Sequence, residues 1–358
     1  MGAVDPTYPL YPIACILASA MLLLVLMTSF VRQSWNLGVT FLCFWLFLEL
    51  VGLAVNSIVW SDNAELRLYV YCDIVTHVQH ITFVVKPMAT LIISRRLYLI
   101  ASLQSVELPS KAARRWNLAL EWTLGLIIPL LVAGPVYYAN QGSRFVVYQG
   151  SGCGTAENES LPDVLIEQSW SFVPCLVSVV FYYPKVVRTY YRQRRDINSF
   201  LHSDSSVTRT NYVRILALAS IDIMLTLPIG IVNIALDIVE LLSAHPFKFY
   251  PGWTYLHSQW GPVSVSYAEL QAFGTGYFAQ FYVAQWSSPI LAFAIFALFG
   301  VTHEARASYC CIICTVGGWF GWKPKPRTQN GHATLGEIVF GARPQSTSGF
   351  DPEAGCVL

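Results

Sequence analysis

Residues 9–31 read PLYPIACILASAMLLLVLMTSFV, with no charged side chain; after a short gap holding Arg32 the chain resumes at 37–60 with LGVTFLCFWLFLELVGLAVNSIVW. A helix crosses ~30 Å of hydrocarbon with ~20 mostly apolar residues, so each run is long enough. Working outward, five more such runs stand at 68–94, 117–139, 166–187, 213–240 and 271–300. Hydrophobic content of 54% and charged content of 12% agree, since soluble domains run near ~25% charged. The expected fold class is an all-α membrane protein, a seven-transmembrane helix bundle. Residues 1–300 form the bundle, 301–322 a juxtamembrane segment and 323–358 a disordered cytoplasmic tail rich in Pro, Gly and Ser.

Most of the 22 Lys and Arg lie in the gaps after the first, third and fifth runs and in the tail. Basic residues are held on the cytoplasmic side during insertion, which sets the N-terminus outside and the C-terminus in the cytoplasm. The formal charge of +1 hides this asymmetry, and a nucleic-acid partner is excluded for want of a basic domain. Met1–Tyr8 lacks a basic n-region and the apolar run from Leu10 is too long for a signal-peptide h-region, so the first run is expected to serve as its own insertion signal.

The sequon Asn158-Glu159-Ser160 falls in the gap after the fourth run, on the predicted outer side, and Asn158 is a glycosylation candidate. Of nine cysteines, Cys15, Cys43 and Cys175 lie within runs, and only Cys72 and Cys153 fall outside. Two thiols in an oxidising compartment can pair, pinning the loop after the fourth run over the bundle mouth; two free thiols are the alternative.

Polar groups inside hydrocarbon are costly and by default paired or functional. At 1.5 Å per residue, Glu49 lies roughly 16 Å below Trp60 and Lys86 roughly 21 Å below Cys72. A Lys side chain can close that difference, so a buried Glu49–Lys86 pair is expected, against each group meeting water alone. Asp222 is a third intramembrane charge, with no obvious partner. His77 and His80 share one helical face, but a metal site needs more ligands and no third His or Cys lies at matching depth. No metal or cofactor is expected.

Prolines interrupt five of the runs, as Pro87, Pro129, Pro135, Pro174, Pro184, Pro228 and Pro289, permitting kinks that suit a switch or a transporter alike. Trp60, Trp253, Tyr255, Trp260, Tyr267 and Tyr277 gather at the outer edge, as an interfacial belt or a ligand wall, and Ser243–Glu269 is long enough for a folded cap. On the inner side, Tyr190–Arg195 extends the fifth run as a basic helix end, suited to lipid headgroups or a cytosolic partner. Cys310, Cys311 and Cys314, beside Trp319, Phe320 and Trp322, are palmitoylation candidates. The terminal Cys356-Val357-Leu358 is not a prenylation box, because Gly355 stands where its Cys is required.

A retinal protein needs a Lys in the last run, where none stands. No hydrolase constellation can be assembled at one depth, and no internal repeat of the transporter kind is evident. Trp35-Asn36-Leu37-Gly38, Asn56-Ser57-Ile58-Val59-Trp60-Ser61-Asp62-Asn63, Cys72-Asp73-Ile74, Arg95-Arg96-Leu97-Tyr98, Leu227-Pro228 and Glu304-Ala305 resemble the corresponding stretches of the fungal a-factor-type (lipopeptide) mating-pheromone receptors, the class D G-protein-coupled receptors. The resemblance runs from residue 35 to about 305. Arg95-Arg96 stands in place of the animal receptors' acidic-Arg-aromatic triplet, and Trp286-Ser287-Ser288-Pro289 in place of their Asn-Pro pair, so animal micro-switch roles do not transfer.

The resemblance implies a plasma-membrane receptor, not an enzyme. Its ligand would be a farnesylated peptide pheromone, and it would activate a heterotrimeric G protein and a mating MAP-kinase response, with membrane lipid as its other partner. Expected ligand contacts are His77, His80, Trp253, Tyr255, Tyr277 and Gln280; the expected coupling surface is Arg95, Arg96, Arg192, Arg194 and Arg195. The rival is an ion-coupled secondary transporter using Glu49, Lys86 and Asp222. Nothing in the sequence bears on oligomeric state.

Overall fold

A computed structural model describes residues 2–32, 36–102, 111–158, 160–192, 209–243, 249–250, 252–258, 260–302, 305–306 and 309. The chain divides into two units, Met1–Gly300 and Val301–Leu358. Of the second, the described residues include one turn, in which the amide of Arg306 donates to Thr302 O at 3.0 Å.

The first unit is mostly helical: α1 (Leu10–Arg32), α2 (Leu37–Val59), α3 (Tyr69–Ser102), α4 (Lys111–Asn140), α5 (163–192), α6 (Arg209–Ser243), the short α7 (Trp253–Leu256) and α8 (Tyr267–Ala272), and α9 (Thr275–Gly300). Among the described residues six helices, α1, α2, α4, α5, α6 and α9, are long and apolar enough to cross a membrane. The third expected run, 68–94, folds as α3 but is not among them. His77, Gln79, His80 and Lys86 interrupt its apolar surface.

In α1, Tyr11, Cys15, Ala18, Leu22 and Val25 recur every three to four residues and are buried, while Ile13, Ile16, Leu17, Leu24, Met27 and Phe30 are exposed. A helix apolar on all sides in this way meets protein on one face and lipid on the other; the protein is a membrane protein. The buried face joins a core threaded through α2 (Leu42, Leu46, Leu50), α3 (Ala89, Ile93), α6 (Leu218) and α9 (Leu291, Ile295). Lipid tails are as apolar as Leu, so helix association in a bilayer rests on close packing. Gly38 provides it: a Cβ there would meet Ile93 at 2.9 Å and Ile92 at 3.1 Å. The prolines of α4 and α5 lie in or near wide π turns at Thr123–Ile127, Val132–Val136 and Ser178–Tyr182, the local repair by which membrane helices accommodate a missing N–H.

One end of the bundle carries a cap, as the loops there suggested, but it is built on a small sheet that the all-helical expectation did not include. Strand β1 (Val146–Tyr148) pairs antiparallel with β2 (Gly152–Gly154) and parallel with β3 (Val263–Val265), joining the α4–α5 and α6–α9 connections in one small sheet. Cys72, at the start of α3, is disulfide-bonded to Cys153 in β2. The Gly150 amide donates to Trp60 O at 2.8 Å, and Val4 N–H to Ser61 O at 3.0 Å. Arg144 holds Asp73 through two hydrogen bonds of 2.9 and 2.6 Å. Trp60, expected in the aromatic belt, is instead fully buried against this sheet, with its indole N–H donating to Glu65 O at 2.9 Å. Gly152 has φ +77°, and a Cβ there would stand 2.7 Å from Asn56 Cβ, so the close approach of β2 to α2 requires glycine. Ser266 and Glu269 form a capping box at the start of α8, and the hydrogen bonds from Ser266 lower the Glu269 pKa.

Candidate ligand cavity

Beneath the cap lies a cavity of about 380 Å³, within the ~300–1,000 Å³ of small-molecule sites. The cap contributes Tyr148, Ser151 and Cys153; apolar walls come from Leu53, Phe83, Ile229 and Phe281; Glu49, Lys86 and Ser288 lie among the polar lining.

Lys86 Nζ stands 3.2 Å from Glu49 Oε2 and donates to Ser288 Oγ at 2.7 Å. One side chain thus ties α2, α3 and α9, with both charged groups about one-tenth exposed (12% and 10%). One turn on, Thr90 donates to the Asp222 carboxylate and so joins α3 to α6; Asp222 is 1% exposed. Ser178 donates to Ser94 at 2.6 Å between α5 and α3, and Tyr183 meets Ser220 at 2.9 Å between α5 and α6. The bundle interior therefore carries a polar seam with α3 as its hub.

Nearer the cap, His80 is 2% exposed. Its Nδ1 lies 3.2 Å from Glu157 Oε1 and its Nε2 3.4 Å from Glu167 Oε1, with Tyr137 stacked at 4.7 Å between ring centroids. Glu157 also accepts from Gln168 Nε2 at 3.1 Å. Gln79 and Asn56 both donate to Cys153 O, at 3.1 and 3.0 Å, securing the disulfide-linked strand from below.

A family model described as pheromone A receptor matches residues 10–317. The chain belongs to this family. It is 30% identical over 308 residues to the pheromone B alpha 2 receptor of Schizophyllum commune, covering 85% of this chain and 46% of that protein. It is 28% identical over 278 residues to pheromone receptor 1 of Mycosarcoma maydis, covering 77% and 76%. Against the pheromone a factor receptor of Saccharomyces cerevisiae it is 24% identical over 259 residues, covering 67% and 54%. The chain spans about half the length of the Schizophyllum commune receptors it matches, 46% of one and 47% of another.

In this pheromone-receptor chain, His80 alone of the six residues expected to contact ligand lines the cavity. Gln280 reaches it indirectly, donating at 2.6 Å to the lining residue Asn233. His77 points its Nδ1 to Asp73 O at 2.7 Å and its ring to Tyr137. Trp253 and Tyr255 are 52% and 70% exposed on α7, where Trp253 stacks on His257; Tyr277 is 38% exposed.

Of the expected coupling residues, Arg95 donates to Asn117 Oδ1 at 2.5 Å and Arg96 lies 3.9 Å from Glu121, both across to α4. Arg192 ends α5; Arg194 and Arg195 lie outside the described residues, as do Cys310, Cys311, Cys314 and the tail at 323–358. Asn158 is half-buried, its amide donates to Asn140 O at 3.1 Å, and its Nδ2 is buried. The polar lining residues Gln79, Gln168, Asn233, Gln285 and Ser288 were not anticipated; the seven-residue spacing of Gln79 to Lys86 on α3 and the three-residue spacing of Gln285 to Ser288 on α9, two turns and one turn along a single face, were the available signal.

Proposed function

We propose that this chain is a mating-pheromone receptor whose ligand is a farnesylated peptide, bound in the cavity under the disulfide-tied cap, and that it activates a heterotrimeric G protein and a MAP-kinase response. The observation that supports this most directly is the capped cavity with the Lys86–Glu49–Ser288 group in its wall, in a chain of the pheromone A receptor family. Its apolar walls suit an isoprenoid and its polar groups suit a peptide.

In this reading α3 is the seventh span. The cap and N-terminus face outward at the plasma membrane and the opposite helix ends face the cytoplasm; the sequon at Asn158 lies in the outer connection, but with its Nδ2 buried it has no room for a glycan in this arrangement. Cys310, Cys311 and Cys314 carry lipid near the inner leaflet, and Arg95, Arg96, Arg192, Arg194 and Arg195 form the face that meets the G protein. A ligand need favour one helix arrangement by only a few kcal/mol to shift the bundle, and the interhelical hydrogen bonds through α3 are the contacts such a shift would exchange.

The test is expression in a yeast mating-reporter strain with confirmed surface display, challenged with a panel of farnesylated peptides. A response that disappears with the unfarnesylated peptide is the expected result. Silence towards the whole panel, or a substrate-driven ion flux in vesicles holding the pure protein, would overturn the reading.

A further inference from the structure

The basic residues at the end of the bundle opposite the cap fall into two sets. Arg95 and Arg96 turn inward from α3 and are engaged by Asn117 and Glu121 of α4. Lys111, Arg114 and Arg115 are exposed at the start of α4. Among the described residues they have no ion-pair or hydrogen-bond partner.

Their spacing places them with Leu118 and Trp122 at i, i+3, i+4, i+7 and i+11, one stripe of the helix. Leu118 and Trp122 are 49% and 43% exposed, and the exposed apolar surface of α4 continues through Ile127, Leu130 and Leu131. The stripe is thus the end, away from the cap, of a lipid-facing surface. Length fixes its depth: α4 has 30 residues, and ~20 fill the hydrocarbon. Since Asn140 is at the cap, where Asn158 N–H reaches its carbonyl, the first ten or so residues project into the headgroup layer at the far side. Trp116, 69% exposed, belongs at that level too.

Three cations at i, i+3 and i+4 have Cβ atoms only ~5–6 Å apart and repel one another. An anion placed over them removes that cost. We propose that Lys111, Arg114 and Arg115 form a binding site for the phosphates of anionic phospholipid headgroups, in the leaflet at the end of the bundle away from the cap. Trp116 anchors the same helix at the headgroup level, and Leu118 and Trp122 lead from there toward the adjoining acyl region. The proposal assigns these three residues to lipid and separates them from Arg95 and Arg96. It rests on the chain being a membrane protein and is independent of what ligand the cavity takes.

The full chain is reconstituted in nanodiscs of phosphatidylcholine alone or with phosphatidylserine or a phosphoinositide, and lipids retained on release are counted by native mass spectrometry. The wild type should retain anionic over zwitterionic lipid, less so as salt rises. The triple variant Lys111→Gln, Arg114→Gln, Arg115→Gln should lose that preference on the order of 100-fold, at about 1 kcal/mol for each basic residue near the surface. Arg67→Gln, at the cap end, should keep it. Soluble inositol phosphate should compete weakly, because it lacks the acyl chains; equal competition would assign the site to a free anion and overturn the lipid proposal. So would a wild type with no anionic preference, or a triple variant that retains it. If the triple variant does not fold, the charge-retaining set Lys111→Arg, Arg114→Lys, Arg115→Lys must keep the preference, and the wild-type lipid count and salt dependence still decide.

Discussion

The Glu49–Lys86 pair is predicted to respond asymmetrically to single and double substitution. Lys86 Nζ lies 3.2 Å from Glu49 Oε2 and 3.4 Å from Glu49 Oε1 and donates to Ser288 Oγ at 2.7 Å, and both charged side chains are nearly buried. At that separation the attraction is about 5 kcal/mol for an effective dielectric of ~20, and much of it is offset by the cost of desolvating both ions. Lys86→Met leaves the Glu49 carboxylate buried without a cation and takes a donor from Ser288. Glu49→Leu leaves the ammonium with Ser288 alone. Each single variant should therefore cost about 3–5 kcal/mol, whereas the double variant, which leaves no unpaired charge, should cost no more than about 1–2 kcal/mol. The assay is a double-mutant cycle on thermal unfolding midpoints in nanodiscs of one lipid composition, with wild-type surface expression as the reference. A coupling energy of at least about 2 kcal/mol is expected. If the double variant loses as much as the two singles together, the ion pair as described is refuted.

Three other perturbations have readouts of their own. Cys72→Ala, Cys153→Ala and the double variant should be equally impaired, because one bond is lost in each. Its 81-residue separation sets an upper figure of about 4.5 kcal/mol from loop closure, read as faster proteolysis of the 141–160 connection; unequal losses would mean that the thiols act separately. Gly152→Val should loosen the cap by about 2–4 kcal/mol, from positive φ and overpacking against Asn56 and Trp60, and an unchanged unfolding midpoint would contradict the described contact. Asp222→Ala should cost about 1–3 kcal/mol by removing the acceptor for Thr90, while Asp222→Asn, which keeps an acceptor oxygen, should recover most of it. Equal midpoints for the two would show that the α3–α6 hydrogen bond contributes nothing.

Residues whose position along a helix determines their depth were the legible ones. Run length located α1, α2, α4, α5, α6 and α9, and sidedness isolated Cys72 and Cys153, which the structure joins. Counting rise per residue brought Glu49 and Lys86 to one level, and the same arithmetic applied to Thr90 would have reached Asp222. What stayed hidden depends on how connections fold back. His80 meets Glu157 because the α4–α5 connection returns over the bundle, and Glu167 because the first turns of α5 stand beside α3; no local spacing encodes either. The strands β1 and β3 are three residues each, Val146–Tyr148 and Val263–Val265, too short for alternation to register. Trp60 sits at the depth of an interfacial belt, so its burial could be learned only from the sheet that covers it.

The long helix that is less apolar than the six membrane-crossing candidates, α3, is also the one packed among α2, α4, α5 and α6, and the two facts have one cause. A span facing lipid must carry apolar side chains outward, whereas a span surrounded by other spans can present polar groups if each finds a partner. On α3, Gln79 meets the cap strand, His80 the two glutamates, Lys86 reaches α2 and α9, Thr90 meets α6 and Ser94 meets α5. The residues that lower its apolarity are therefore the residues that fix its neighbours. By the same reasoning, replacing Gln79, Thr90 and Ser94 with apolar residues would raise its hydropathy while removing contacts to the cap, α6 and α5. The low apolarity of α3 is thus evidence for a central position in the bundle.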